Sequence, residues 1–153
     1  MTTKRNTRPI SLIVFSISLL ACQSEADFVA MQDLPATGWE QEAPVHILYT
    51  AADSLQYYCV GIEGRLLHSY FPDKLSIELQ VTTPSGAYFR DTLSCPLRPS
   101  SDRPWTDFRM PYYRKIRFSE TGEWRFSIKQ NMNVATIMGI MSIGVYIEKD
   151  GKE

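Results

Sequence analysis

Histidine and cysteine are both scarce in this chain of 153 residues, which has two of the one and three of the other. His46 and His68 stand apart, and there is no Gly-x-Ser-x-Gly elbow near either, so a hydroxyl or thiol nucleophile lacks a base to activate it. His-x-His, His-Glu-x-x-His and Cys-x-x-Cys are also missing, and these are the spacings that bring metal ligands together. No glycine-rich loop follows a strand and opens a helix, so nothing indicates a phosphate cradle. Glu63, Glu78 and Asp91 fall on candidate strands, but carboxylates at alternate positions mark a solvated sheet face more readily than the flanking pair of a glycosidase. Catalytic residues, metal and cofactor are therefore all expected to be none. Lys and Arg number 16 against 17 Asp and Glu and form no run, so a nucleic-acid footprint is not expected. No apolar run is long enough to cross a bilayer. Residues 10–21 (ISLIVFSISLLA) are twelve, whereas a spanning helix needs ~20.

That short run has a specific context. Lys4, Arg5 and Arg8 precede it, and it ends in Leu19-Leu20-Ala21-Cys22. A basic head, a short apolar stretch and a small residue at the exit make a signal-peptide pattern. The exit resembles the bacterial lipoprotein signal, in which a branched apolar residue and a small residue precede an obligatory cysteine. In that class the thiol is diacylated and the chain is cut just before it. Cys22 is thus the candidate lipidation residue, and the membrane is a partner through its lipid. Each buried CH₂ contributes ~0.8 kcal/mol, so two acyl chains hold where one binds marginally. A plain exported protein would leave the position of Cys22 to chance. The expected division is residues 1–21 as signal peptide, 22–33 as a flexible tether and 34–153 as one domain. Loss of the leader takes the formal charge from −1 to −4 through its three basic residues. Cys59 and Cys95 remain, free to pair in an oxidising compartment or to stay as buried thiols.

Beyond a lead-in rich in Pro and Gly at residues 34–44, the hydrophobic period is two. It predicts strands at 45–50, within 55–67, at 75–81, 87–94, 115–118, 124–128 and 143–149. In the clearest, Leu75, Ile77, Leu79 and Val81 face one way while Ser76, Glu78 and Gln80 face the other. Pro84-Ser85-Gly86 is a turn that makes a hairpin of 75–94. Residues 96–111, with four prolines and several charges, read as a long loop, and 135–141 as a loop or one helical turn on the core. Seven or so short strands without an amphipathic helix predict an all-β protein, a single antiparallel β-sandwich of jelly-roll-like type. Trp105, Phe108, Arg109, Tyr112 and Tyr113 cluster in or beside the long loop as a candidate binding surface. Three readings stay open for them: capping one end of the sandwich, contacting a protein, or stacking on sugars.

Taken in order, several short segments carry a resemblance to a known family. They are Leu34-Pro35, Gly38-Trp39, Pro44-Val45, residues 57–65, Tyr70-Phe71-Pro72, and Pro84-Ser85-Gly86 leading into Asp91-Thr92-Leu93. Further along come Phe118 with Gly122, Gln130-Asn131-Met132, Met138-Gly139-Ile140, Gly144 and Ile147-Glu148-Lys149. The chain resembles the gliding-motility lipoprotein GldH family over nearly its full length. It departs in the Pro/Arg-rich segment 98–109 and in Ser142, where an Asp is common. The resemblance implies a non-enzymatic component of the cell envelope, held by lipid at the outer membrane and facing the periplasm, whose partners are envelope or gliding-machinery proteins. A glycan-binding β-sandwich lipoprotein of the surface or periplasm is the alternative. Cys22→Ser is expected to leave the product unprocessed or soluble and to remove acyl mass from its N-terminal peptide. Fractionation and mass spectrometry check this, and unchanged membrane retention would mean another anchor.

Overall fold

The period-two stretches are strands in the computed structural model, which describes residues 28–70 and 72–150. The expected signal peptide and Cys22 lie outside the described residues. Among those described are ten strands and no helix. They are β1 (Phe28–Asp33), β2 (Trp39–Glu40), β3 (Val45–Ala51), β4 (Tyr58–Leu67), β5 (Lys74–Thr82), β6 (Tyr88–Pro96), β7 (Trp105–Ile116), β8 (Gly122–Gln130), β9 (Thr136–Ile137) and β10 (Ile140–Lys149). Every pairing is antiparallel. One four-stranded sheet runs β1-β10-β4-β7 and the other β3-β8-β5-β6, with β2 and β9 as a small separate pair. Setting that pair aside, the eight long strands have the order 1-8-3-6 over 2-7-4-5, which is a jelly roll.

Alternation decides what lies between the sheets. Leu75, Ile77, Leu79 and Val81 of β5 are buried, as are Phe126 and Ile128 of β8. Opposite them are Val60 and Ile62 of β4 and Ile143, Val145 and Ile147 of β10. Each such side chain contributes roughly 1.5–3 kcal/mol by leaving water. Aromatic rings close one end of the core: Phe28 meets Tyr49 at 5.1 Å between centroids, Tyr49 meets Phe118 at 4.9 Å, and Phe118 meets Tyr58 at 5.3 Å and Trp124 at 5.1 Å. At the other end Trp39 is buried and donates from Nε1 to the Ala43 carbonyl at 2.8 Å. Nearby, the buried Gln130 amide donates to the Val134 carbonyl at 3.0 Å and accepts from the Met132 N–H at 2.9 Å, which shapes the loop after β8.

Four sequence expectations change here. Phe28–Asp33, placed in the tether, forms β1 and pairs along its whole length with β10. Its inward residues Phe28 and Ala30 pack on the core while Val29 and Met31 face out, so the segment lacks a polar alternate row to advertise it. The long loop ends at residue 104, because Trp105–Ile116 is one strand of twelve residues. Pro111 is tolerated there since β7 is an edge strand, where a missing N–H need not break a ladder. Residues 135–141 hold β9 and the start of β10, with no helical turn. In the lead-in, β2 delivers Trp39 to the core. Phe28→Ala is expected to cost roughly 1–3 kcal/mol in urea unfolding, less than a fully buried phenylalanine because the ring is half-exposed. A residue in a free tether would change nothing.

Candidate binding site on the outer sheet face

The outer face of the β1-β10-β4-β7 sheet carries a cross-strand lattice of arginine, carboxylate and aromatic side chains. Register sets its members: Leu67 lies opposite Trp105, Arg65 opposite Asp107, Glu63 opposite Arg109, and Gly61 opposite both Pro111 and Tyr146. Arg65 grips Asp107 with two parallel bonds, Nε to Oδ1 at 2.6 Å and a terminal nitrogen to Oδ2 at 3.1 Å. This pairing raises the pKa of Arg65 and lowers that of Asp107. The same guanidinium lies 5.6 Å over the Trp105 ring. Arg109 donates to Glu63 at 3.1 Å and to Glu148 of β10, and its guanidinium lies 3.9 Å from the centre of the Tyr146 ring.

Gly61 makes that stack feasible. A Cβ at this position would collide with the Tyr146 ring, so only glycine lets the ring lie flat on the sheet beneath Arg109. Tyr146 is buried by this arrangement, and burial, with Cys59 close by, pushes its hydroxyl up to about 12. Beside the lattice, a depression of about 380 Å³ is bounded by Met31, Glu63, Arg65, Asp107 and Arg109. Arg65 and Arg109 keep about two-fifths of their side chains in water, and Trp105 is 44% exposed.

A second feature lies where the two sheets part, between the edges β6 and β7. The register passes from Gly61 opposite Pro111 to Val60 opposite Tyr113, so Tyr112 is an extra residue, a β-bulge. Neighbours that would otherwise point apart are brought together, with ring centroids 3.9 Å apart and hydroxyls 3.1 Å apart. The Tyr112 hydroxyl donates to Asp91 of β6 at 2.6 Å and latches the two edge strands. Burial, then Asp91 and Tyr113, drive its pKa well above the ordinary tyrosine value. Above the latch opens a cleft of about 540 Å³ with Phe89, Arg90, Tyr113, Arg117 and Trp124 in its wall.

All five residues singled out in the sequence belong to β7, but they divide between faces. Trp105 and Arg109 face outward, Phe108 turns inward over Gly64, and Tyr112 and Tyr113, at the bulge opposite Val60, turn together to the cleft between the sheet edges. They are strand residues, not a loop cluster. Arg65, Tyr146 and Glu148 were not singled out as their partners, and Glu63 and Asp91 were noted only as strand carboxylates. The outward row of β4 contained Glu63, but nothing local tied it to β7. Cys59 and Cys95 are both free thiols. Cys59 is half-buried on the outer face of β4 and Cys95 buried on the inner face of β6, in different sheets, and burial pushes the Cys95 thiol up to about 11. His68 approaches the Ser100 carbonyl at 2.9 Å, and His46 is exposed on β3. Among the described residues, no group of three or more His, Cys, Asp or Glu could hold a metal ion.

Comparison with known proteins adds the following. The family described as GldH lipoprotein matches residues 27–147. A search of curated proteins gave no match. Among solved structures, the chain is similar to TmCBM61 in complex with beta-1,4-galactotriose, with 14% identity and a TM-score of 0.38 over 70% of this chain and 62% of that one. It is also similar to an arabinose-bound MgGH51 α-L-arabinofuranosidase, with 9% identity and a TM-score of 0.33 over 80% of this chain and 17% of that one.

Tyr112→Phe is expected to remove the latch and to cost about 1–2 kcal/mol, the net value of a hydrogen bond to a charged acceptor discounted for partial exposure. Hydrogen exchange should quicken in the first half of β6. The raised hydroxyl pKa has a definite sign. Its contribution is complete below about pH 10, the unfolded value, and declines as pH rises toward the folded one. The variant should therefore lose less stability than wild type in alkaline urea titrations.

Proposed function

Because this chain belongs to the GldH lipoprotein family, we propose that it acts without catalysis, as a structural and binding component of the gliding motility apparatus in the cell envelope. Lipid on Cys22 holds it at the outer membrane, facing the periplasm, and envelope proteins of that apparatus are its partners. The β1-β10-β4-β7 face meets them.

The observation that carries the binding reading is the alignment of Trp105, Arg65 and Arg109 on one exposed sheet face. Tryptophan, tyrosine and arginine are the residues that most often dominate protein contacts. The exposed ion pairs around them add little to stability, because water screens them. Their larger effect is to order both guanidinium groups before a partner arrives, which spares ~0.5–1.5 kcal/mol per side chain on binding. The cleft at the β6 and β7 edges supports a second reading, an envelope glycan. Its volume suits a small ligand and its rim presents aromatic rings beside Arg90 and Arg117.

Affinity capture from crosslinked envelopes, with wild type beside Trp105→Ala and Arg109→Ala, tests the first reading. A hot-spot tryptophan is expected to carry ~2 kcal/mol or more, so the variant should recover ~30-fold less of a partner that wild type enriches. Equal recovery by all three proteins would remove this face from the account. Saturable uptake of envelope polysaccharide in calorimetry, abolished by Tyr113→Ala, would favour the glycan reading instead. Deletion of the gene should reduce colony spreading, and unaltered spreading would sever the link to motility while leaving the anchor untouched.

A further inference from the structure

The sandwich has two unlike ends, and the chain before β1 is too short for the domain to stand on the far one. β1 begins at Phe28, opposite Ile147, at the end where β10 finishes, β4 starts, β7 finishes at Ile116 and β6 starts at Tyr88. Five residues separate Cys22 from Phe28. A chain covers at most ~3.3–3.6 Å per residue, so the first described residue stays within about 20 Å of an acylated Cys22. β10 has ten residues and is about 33 Å long at ~3.3 Å per residue. To turn its other end to the bilayer, the domain would have to lift the start of β1 about that far, which the connecting chain does not reach.

The near end also has the surface chemistry of a bilayer interface. Leu55 is 76% exposed in the loop before β4, and Tyr57 is nearly half exposed beside it. Tyr88 is 63% exposed at the start of β6, with Phe89 next to it. Arg114, Lys115, Arg117 and Lys149 are exposed at the same end. Arg117 lies 5.1 Å over the Tyr57 ring, so cation and aromatic are presented together. Three carboxylates of this end are turned to backbone groups: Asp53 accepts from the Leu55 N–H, Asp150 from the Lys115 N–H, and Glu120 from the Ser85 N–H and hydroxyl. Glu123 is a further exposed acid there, and Asp91, three residues into β6, is taken up by the Tyr112 hydroxyl. Tyrosines, leucines and flexible basic side chains are the residues that settle at headgroup depth, rings inward and charges toward the phosphates.

We propose that the sandwich is seated end-on on the bilayer that anchors it, with Leu55, Tyr57, Tyr88, Arg114, Lys115 and Arg117 at the lipid headgroups. This rests on the reading of Cys22 as the acylated residue. The seating directs the Arg65–Trp105 half of the outer face, together with the loops 68–73 and 131–139, away from the membrane. Lys115 has a φ of 53°, in the left-handed backbone region, and its N–H is held by Asp150.

The full-length, natively processed protein would be reconstituted in vesicles of phosphatidylethanolamine and phosphatidylglycerol. The photocrosslinker p-benzoylphenylalanine would be placed in turn at Leu55, Tyr57, Val134 and Met138, the last two being exposed at the far end. Lipid adducts are expected at Leu55 and Tyr57, several-fold above those at Val134 and Met138. Combining Arg114→Glu with Arg117→Glu should cut the adducts at Leu55 several-fold without releasing the protein from vesicles. An acylated product that floats with vesicles yet gives equal adducts at both ends, or adducts chiefly at Val134 and Met138, overturns the seating alone. A product that lacks acyl mass on Cys22 and fails to float overturns the anchoring reading and this one with it.

Discussion

The inward row of β10, Ile143, Val145 and Ile147, joins the first strand of the domain to β4 and buries three β-branched side chains on the dry face. The outward row of the same strand supplies Tyr146 and Glu148, which hold Arg109 from below and from the side. Both faces of the sheet therefore depend on a single register. A slip of one residue would send Tyr146 into the core and expose the aliphatic row, because side chains alternate along a strand. Gly61 enforces the same register from β4, since it is the position at which the tyrosine ring finds room to lie flat.

The arrangement is a platform of mutually braced side chains. Its charged groups are mutually paired, its cysteines are separate, and its strongly shifted hydroxyls, Tyr112 and Tyr146, are held neutral by burial and hydrogen bonding. Those features keep the outer face in one conformation. Membership of a lipoprotein family adds that the platform works beside a membrane. The bulge at Tyr112 and the latch to Asp91 brace β6 and β7, an edge strand of each sheet, against one another.

How much of this can be read from the chain depends on whether burial and alternation coincide. In β5 they do, and Leu75, Ile77, Leu79 and Val81 identify the strand without help. In β1 both rows are apolar, so Phe28–Asp33 shows no period and reads as linker. In β7 the alternation is genuine, but Pro104, Pro111 and the arginines disguise it, and only an edge position makes the second proline harmless. The residue types of the candidate site were legible, since Trp105, Arg109 and Tyr113 stand out in any scan for contact residues. Their division between faces was not, because an extra residue at Tyr112 shifts the phase of the strand. Their partners were not either, because Arg65 and Asp107 are 42 positions apart and nothing local couples them.

The attachment of the first strand has a mechanical corollary. A pull transmitted from the anchor enters at Phe28 and runs along β1, whose six residues from Phe28↔Ile147 to Asp33↔Ser142 are all laddered to β10. Tension directed out of that end loads the ladder in shear, so its bonds must give way together, whereas peeling would break them one at a time. β10 lies inside the sheet and passes the strain on to β4, which carries Arg65, and then to β7, which carries Arg109. A load applied between an anchor before β1 and a partner on the outer face would travel through four strands side by side, the direction in which a sheet resists hardest.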